Sequence, residues 1–421
     1  MSGADVREAI TQAHRGEWAR VVAALTRRFG DLDIAEEAAA EAFAVAVERW
    51  PADGVPPNPG AWLTTTANRK AIDRIRRESK RDDKQREART VYHDDPPEPP
   101  GAIEDERLRL IFTCCHPALA PETRVALTLR MVGGLTVSEI ARAFLVQETT
   151  MGQRITRAKA KIKTARIPYR VPSAEDLPDR VSGVLAVLFL VFNEGYLATG
   201  PGTDPIRHDL SAEAIRLTRL IRALLPADGE VAGLLALMLL TDARRPARVS
   251  ATGELVTLEE QDRGAWDTAL IAEGHRLVRE RLAAGVAPGR YQILAAINAV
   301  HTSARDVRDT DWSQVVALYD QLVRLDPSPI VALNRAVAVA EIDGPEVALA
   351  AVDRLADQLV GYHAYHATRA HLLRRLGLGG QARAAYDKAI ELAGNTAEIA
   401  YLTRRRDQLG DRSRSMPIEG S

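Results

Sequence analysis

Residues 136–163 read TVSEIARAFLVQETTMGQRITRAKAKIK. Thr136-Val137-Ser138-Glu139 has the spacing of a capping box, in which a hydroxyl and a carboxylate satisfy each other's backbone N–H, so a helix starts there. That helix places Ile140, Ala141 and Phe144 on one face. Leu145-Val146-Gln147 breaks it. The next helix carries Met151, Ile155, Ala158 and Ile162 at spacings of 4, 3 and 4, a single apolar stripe. Its opposite face shows Thr150, Gln153, Arg154, Arg157 and Lys161. A short helix, a tight turn and a helix with an apolar back and a basic front make helix-turn-helix geometry. Side chains on such a front reach phosphates and base edges in a major groove.

The rest of the 421 residues extends this helical reading. Hydrophobic residues make up 46%, aromatics 5% and charged residues 27%, an ordinary composition for a water-facing chain of two or three domains. Ala, Leu, Arg and Glu dominate, with apolar residues at i, i+3, i+4 spacing almost throughout, so the fold class is all-α. The two cysteines, Cys114 and Cys115, are adjacent and followed by His116. Three consecutive residues cannot make a tetrahedral zinc site, so a buried thiol pair is expected and no metal or other cofactor. The first thirty residues are too polar for a signal peptide, and the longest apolar run, Val184–Phe192, is too short to span a bilayer. A cytoplasmic location with no membrane partner follows as the expectation.

Charge is uneven. The formal net of -1 divides into +4 over residues 1–171, with 28 basic and 24 acidic residues, and -5 over the remainder, with 28 and 33. Within the first part, Ala61–Tyr92 holds ten basic and five acidic residues, and Glu148–Arg166 holds six and one. Between them, Asp94–Glu106 has six acidic residues and no basic one. Two basic helices on either side of an acidic, proline-rich tether suggest two nucleic-acid-contacting units. Proline clusters at Pro51–Pro59, Pro96–Pro100 and Pro168–Pro178 punctuate the chain. The expected divisions are 1–92, a linker 93–103, 104–168, a helical domain 172–308, repeats over 309–410 and a tail 411–421.

Two further N-terminal stretches stand out. Pro59 opens a helix at its favoured first position. Trp62, Asn68, Arg69, Asp73, Arg74, Arg76 and Arg77 follow. An aromatic beside a basic surface suits unpaired bases, which need stacking and backbone neutralisation. Upstream, Ala38, Ala39, Ala42, Phe43, Ala46 and Val47 form an apolar helix face, with Glu36, Glu37, Glu41 and Glu48 on the polar side. That acidic side is either solvated or docked on a basic partner helix.

The C-terminal part contains a repeat. Val315, Ala348 and Ala382 align at offsets of 33 and 34; Tyr319, Val352 and Tyr386 follow four later, and Leu322, Leu355 and Ala389 three after that. Ala336 and Ala370 precede the second and third anchors by twelve. A helix-turn-helix period of about 34 with small and aromatic anchors is the tetratricopeptide pattern.

These N-terminal stretches resemble a known family. DIAEEAAAEAFAVAVERW (33–50) and PGAWLTTTANRKAIDRIRRES (59–79) are similar to region 2 of sigma-70-type RNA polymerase initiation factors. LTVSEIARAFLVQETTMGQRITRAKAKI (135–162) is similar to region 4. Region 2, an acidic tether and region 4, with no region 3, is the pattern of the extracytoplasmic-function (ECF) subgroup. The extension, with FNEGY at 192–196 and tetratricopeptide-like repeats, resembles one branch of it. The resemblance implies that Glu36, Glu37, Glu41 and Phe43 dock on core RNA polymerase, whose clamp coiled coil and flap would be the partners. It implies that Trp62, Asn68, Arg69, Asp73, Arg74 and Arg76 read and melt a -10 element, with Asp53–Asn58 receiving a flipped base. Thr149, Thr150, Gln153, Arg154 and Arg157 would read a -35 element. Residues 93–101 would thread the polymerase's RNA path. The family often has Gln where Ala40 stands, Gly at Leu145 and Ser at Gln147.

The expected function is therefore transcription initiation without covalent chemistry in this chain, with promoter DNA and polymerase as partners. The C-terminal part is expected to regulate, through a protein or small-molecule ligand. Two other readings are a polymerase-independent helix-turn-helix regulator and an enzyme in the extension. For the enzyme, Asn193, Glu194, His208, Asp242 and Asp262 are the polar candidates, but no phosphate loop, metal spacing or nucleophile motif accompanies them.

Overall fold

In the computed structural model, Thr136 and Glu139 cap one another. Thr136 N–H donates to Glu139 Oε2 at 2.8 Å, and Glu139 N–H donates to Thr136 Oγ1 at 3.2 Å. The structure describes residues 3–82, 106–143, 146–173, 175–196, 208–250, 254–394 and 396–411. The expected linker 93–103, Phe144 and Leu145, and the expected tail beyond 411 lie outside them. Among the described residues there are helices, short 3-10 turns and one isolated bridge, Val249 to Leu255, but no strand.

The chain divides into two compact units, 1–191 and 192–421. In the first, α1 (Gly3–Phe29), α2 (Leu32–Asp53) and α3 (Pro59–Asp82) pack on one another. The alanines of α2 make this possible: Ala35, Ala38, Ala39, Ala42 and Ala46 are all buried, and their small size lets the neighbouring helices approach closely. Val47, expected on that face, is 56% exposed, because the stripe has turned past the core there. Trp50 fills the end of the core. Asp31 caps α2 by accepting from Asp33 and Ile34 N–H at 2.8 and 3.2 Å. Gly54 ends it with φ +82°, a left-handed position that favours glycine, and donates to Trp50 O. Asn58 Oδ1 accepts from Ala61 N–H at 3.0 Å at the start of α3.

The same unit continues with α4 (Glu106–Cys114), α5 (Pro121–Met131), α6 (Val137–Ala143), α7 (Glu148–Thr164) and the first part of α8 (Leu177–Tyr196). Met151, Ile155, Ala158 and Ile162 of α7 are buried, as the stripe requires. A Cβ at Gly152 would meet only Val137 Cγ1, at 3.8 Å, so its cost of about 1 kcal/mol in helix propensity is not required by packing. Cys114 and Cys115 are free and buried, and burial holds both thiols above their ordinary value, Cys115 at about 11. The domain expected from residue 172 opens on α8, whose residues through Val191 belong to this first unit. There Arg180 donates to Phe112 O at 2.5 Å and lies over the Phe112 ring.

The second unit starts with α9 (His208–Leu224), α10 (Gly229–Asp242), α11 (Thr268–Ala283) and α12 (Arg290–Ser303). α10 is apolar all round, and every residue from Val231 to Asp242 is buried. Gly233 lets α12 approach: a Cβ there would stand 2.6 Å from the Gln292 backbone nitrogen. Next come α13 (Trp312–Leu325), α14 (Pro329–Ile342), α15 (Pro345–Asp353), the short α16 (Ala356–Leu359), α17 (His363–Arg375), α18 (Gly379–Leu392) and α19 (Thr396–Asp411). The repeat anchors Val315, Leu322, Ala348, Val352, Ala382, Tyr386 and Ala389 are buried between consecutive helices; Tyr319 and Leu355 are half-buried. Ala336 joins Ala348 and Val352 in one cluster, and Ala370 joins Ala382 and Tyr386 in the next.

Candidate nucleic-acid and partner interface

Burying its apolar stripe leaves α7 with a polar front. Thr149, Thr150, Gln153 and Arg157 are exposed, and Arg154 is half-buried. Arg157 donates to Gln153 Oε1 at 3.4 Å, so these two side chains share one turn of the surface. On α3, Arg69, Asp73, Arg76 and Arg77 are exposed, while Trp62, Asn68 and Arg74 are half-buried. Trp62 meets Trp50 edge-on with ring centroids 5.5 Å apart. The buried Trp50 therefore backs a partly open Trp62 beside the exposed end of the loop, Pro57-Asn58. Asn68 Oδ1 is buried without a hydrogen-bond partner.

The acidic side of α2 is not uniformly solvated. Glu37 pairs with Arg74, and Glu41 with Lys70 at 3.4 Å, both on α3. Glu36, expected on the polar side, is 7% exposed. The reason is a partner distant in sequence: Arg130 of α5 donates to Glu36 Oε1 at 2.6 Å, and Lys159 of α7 reaches Oε2 at 2.7 Å. Lys159 also contacts Asp33 at 2.5 Å, and Lys163 contacts Asp31 at 3.0 Å. Phe43 is buried too, its ring centroid 4.9 Å from that of His14 and 5.8 Å from that of Trp18. Trp18 Nε1 donates to Arg130 O, and Tyr169 donates from its hydroxyl to Ala23 O and Glu106 O.

Two of the four residues expected to meet a polymerase, Glu36 and Phe43, are thus covered within the unit. Lys159, Arg130 and Trp18 were not singled out from sequence. The only sequence signal for them is charge complementarity between an acidic and a basic helix. Burial alone would raise the Glu36 carboxyl, but Lys159 and Arg130 override it and hold the group below its ordinary value. Lys159 shows the reverse: desolvation would lower it, yet Glu36 and Asp33 hold it above its ordinary value.

Three polar candidates of the second unit, Asp242, His208 and Asp262, have structural partners. Asp242 pairs with Arg245 at 3.0 Å, and His208 Nδ1 lies 2.6 Å from Arg245. Burial raises the Asp242 carboxyl against the lowering effect of Arg245. Asp262 caps a 3-10 turn by accepting from Gly264 N–H at 2.9 Å. Tyr196 is held by Arg248, whose guanidinium lies 3.3 Å from its ring centroid. Among the described residues no group of three His, Cys, Asp or Glu could hold a metal ion, and no helix is long and apolar enough to cross a membrane.

Comparison with known proteins gives a consistent pattern. Residues 17–81 match the family model for Sigma-70 region 2, and 109–162 match that for Sigma-70, region 4. Residues 180–282 match a family of unknown function, DUF6596. The uncharacterized protein R00370 of Rhizobium meliloti (strain 1021) is 45% identical over 401 residues, covering 93% of each chain. The probable ECF RNA polymerase sigma factor SigI of Mycobacterium tuberculosis (strain CDC 1551 / Oshkosh) is 30% identical over 183 residues, 42% of this chain and 60% of its own. The ECF RNA polymerase sigma factor SigK of Mycobacterium ulcerans (strain Agy99) is 28% identical over 159 residues, 36% of this chain and 82% of its own.

Proposed function

Because the chain belongs to the sigma-70 family of RNA polymerase sigma factors, in its extracytoplasmic-function group, we propose that it docks on the clamp coiled coil and flap of core polymerase, recognises -10 and -35 elements and promotes DNA opening. The supporting observation is the presence of two separate polar faces: the α7 front behind its buried stripe, and the basic α3 surface beside Trp62. Glu37 and Glu41 take the polymerase from the surface, and Glu36 and Phe43 join them once α2 is uncovered. Trp62, Asn68, Arg69, Asp73, Arg74 and Arg76 take the -10 element, and Thr149, Thr150, Gln153, Arg154 and Arg157 the -35 element. Two weak readers on one chain act with high effective concentration. The polymerase supplies the covalent chemistry. Co-purification with the cognate core enzyme, followed by promoter footprinting, tests this. DNA binding without polymerase association would favour a polymerase-independent regulator instead.

Each phosphate contact releases condensed counterions, so affinity falls with salt. Arg157→Ala removes one exposed cation from the α7 front. The slope of log affinity against log salt should then shrink by about 1, equally for cognate and random DNA if the contact is to phosphate. An unchanged slope would place Arg157 outside the interface.

The extension is read as regulatory because its net of -5 stands beside the +4 of the first 171 residues. Residues 1–196, which keep Tyr169 and the whole of α8, should differ from the full chain in run-off transcription and in DNA affinity. Equal values for both would rule out regulation of the DNA-contacting part by the extension.

A further inference from the structure

The helices α13, α14, α17 and α19, with His301 of α12 and Tyr386 of α18, line a half-open chamber of about 400 Å³ within the second unit. A stack of helical hairpins ordinarily leaves an open concave groove, long enough for an extended peptide. Here the segment Thr257–Glu259 forms part of the wall. Flanking residues pin it: Arg404 contacts Glu254 at 3.3 Å and Glu260 at 3.5 Å, and Arg405 contacts Glu260 at 3.5 Å. The groove becomes a half-open chamber of the size that holds one small organic molecule.

Its wall has a specific chemistry. Trp312, Tyr319 and Tyr401 offer ring surfaces, and His301 and His371 stand among them. His301 packs edge-on against Trp312 with centroids 5.3 Å apart, and its Nδ1 is buried without a partner. Burial, reinforced by neighbouring arginines, keeps both imidazoles neutral, each at about 4. Arg375 is already matched, because it pairs with Glu341 and donates to Ala340 O at 3.2 Å. An anionic guest would therefore meet no unmatched cation on this wall, where Glu259 adds a carboxylate.

We propose that this chamber is a binding site for a small molecule bearing an aromatic ring and no negative charge, stacked among Trp312, Tyr319 and Tyr401. It gives the extension an input of defined chemistry. It deepens the regulatory reading, but its test uses neither polymerase nor promoter, so the two readings fail separately.

The probe is N-phenyl-1-naphthylamine, neutral and fluorescent in apolar surroundings, titrated into the full chain. One saturable site is expected. Val337→Trp on α14 and Thr368→Trp on α17 each fill the chamber from one side and should weaken the probe at least tenfold. Val360→Trp, at an exposed position that does not line the chamber, should leave its affinity unchanged. All variants are first matched to the parent by circular dichroism and melting temperature. 2-Naphthol should displace the probe at least tenfold better than 2-naphthoate. Non-saturable binding, or equal affinity in the filled variants, overturns the site. Equal displacement by the naphthoate anion overturns the exclusion of anions.

Discussion

Lys159→Glu should open the contact between α2 and α7 while leaving the helices of each intact. Lys159 is 9% exposed at its side chain and touches both Glu36 and Asp33. Reversing its charge puts three carboxylates around one desolvated point, with Arg130 as the remaining partner of Glu36. Removing one member of a buried ion pair costs on the order of 3–5 kcal/mol, because the other charge stays desolvated and unmatched. The core of α1–α3 rests chiefly on packing among those three helices, where Val21, Val22, Leu25, Ala39, Trp50 and Leu63 are buried. Hydrogen exchange should therefore quicken around 31–36 and 155–163, while circular dichroism stays at the parent value. Since the opened α2 presents Glu36, affinity for core polymerase should rise. Unchanged exchange would show that the contact is dispensable, and unchanged polymerase affinity would show that Glu36 is not part of the docking face.

The pH dependence of this contact has a defined sign. Glu36 is held below its ordinary 4.5, so its contribution is fully present above that value and is lost as pH falls through the lower folded value. Lys159 is held above 10.5, so its contribution is fully present below 10.5 and is lost only as pH rises past the raised value. The contact is at full strength at neutral pH.

What the sequence disclosed, and what it hid, follows from the range of the interactions. The capping box at Thr136 and Glu139, the α7 stripe and the Pro59 start are set by residues three or four apart, and spacing alone reveals them. The repeat was legible for the same reason, since each hairpin buries its own anchors. Glu36 was not, because its partners lie 94 and 123 residues away. Helical periodicity places it at the edge of the apolar face and cannot say which basic helix covers it. The chamber escaped as well. Its closure joins Glu254 and Glu260 to Arg404 and Arg405, 144 or more positions on, and no local pattern pairs them.

Trp62→Ala should reduce promoter opening by roughly 5- to 150-fold, the range set by base–aromatic stacking worth about 1–3 kcal/mol. Opening requires at least one base step to unstack, at a cost of a few kcal/mol, and a ring ready to receive a base offsets part of it. Trp62 is placed for this. It is half-buried, its packed side rests against the fully buried Trp50, and exposed Arg69 and Arg76 follow on the same helix. A packing role makes a different forecast, and the template separates the two. On duplex DNA the variant should form closed complexes normally and show weak permanganate reactivity at the -10 thymines. On a template with a pre-opened mismatch bubble, the unstacking cost is already met and most of the transcription defect should vanish. Trp62→Phe keeps a ring and should recover most of the opening. A defect of equal size on duplex and bubble templates, shared by the Phe variant, would assign Trp62 to the α2–α3 core and leave base capture to the loop before it.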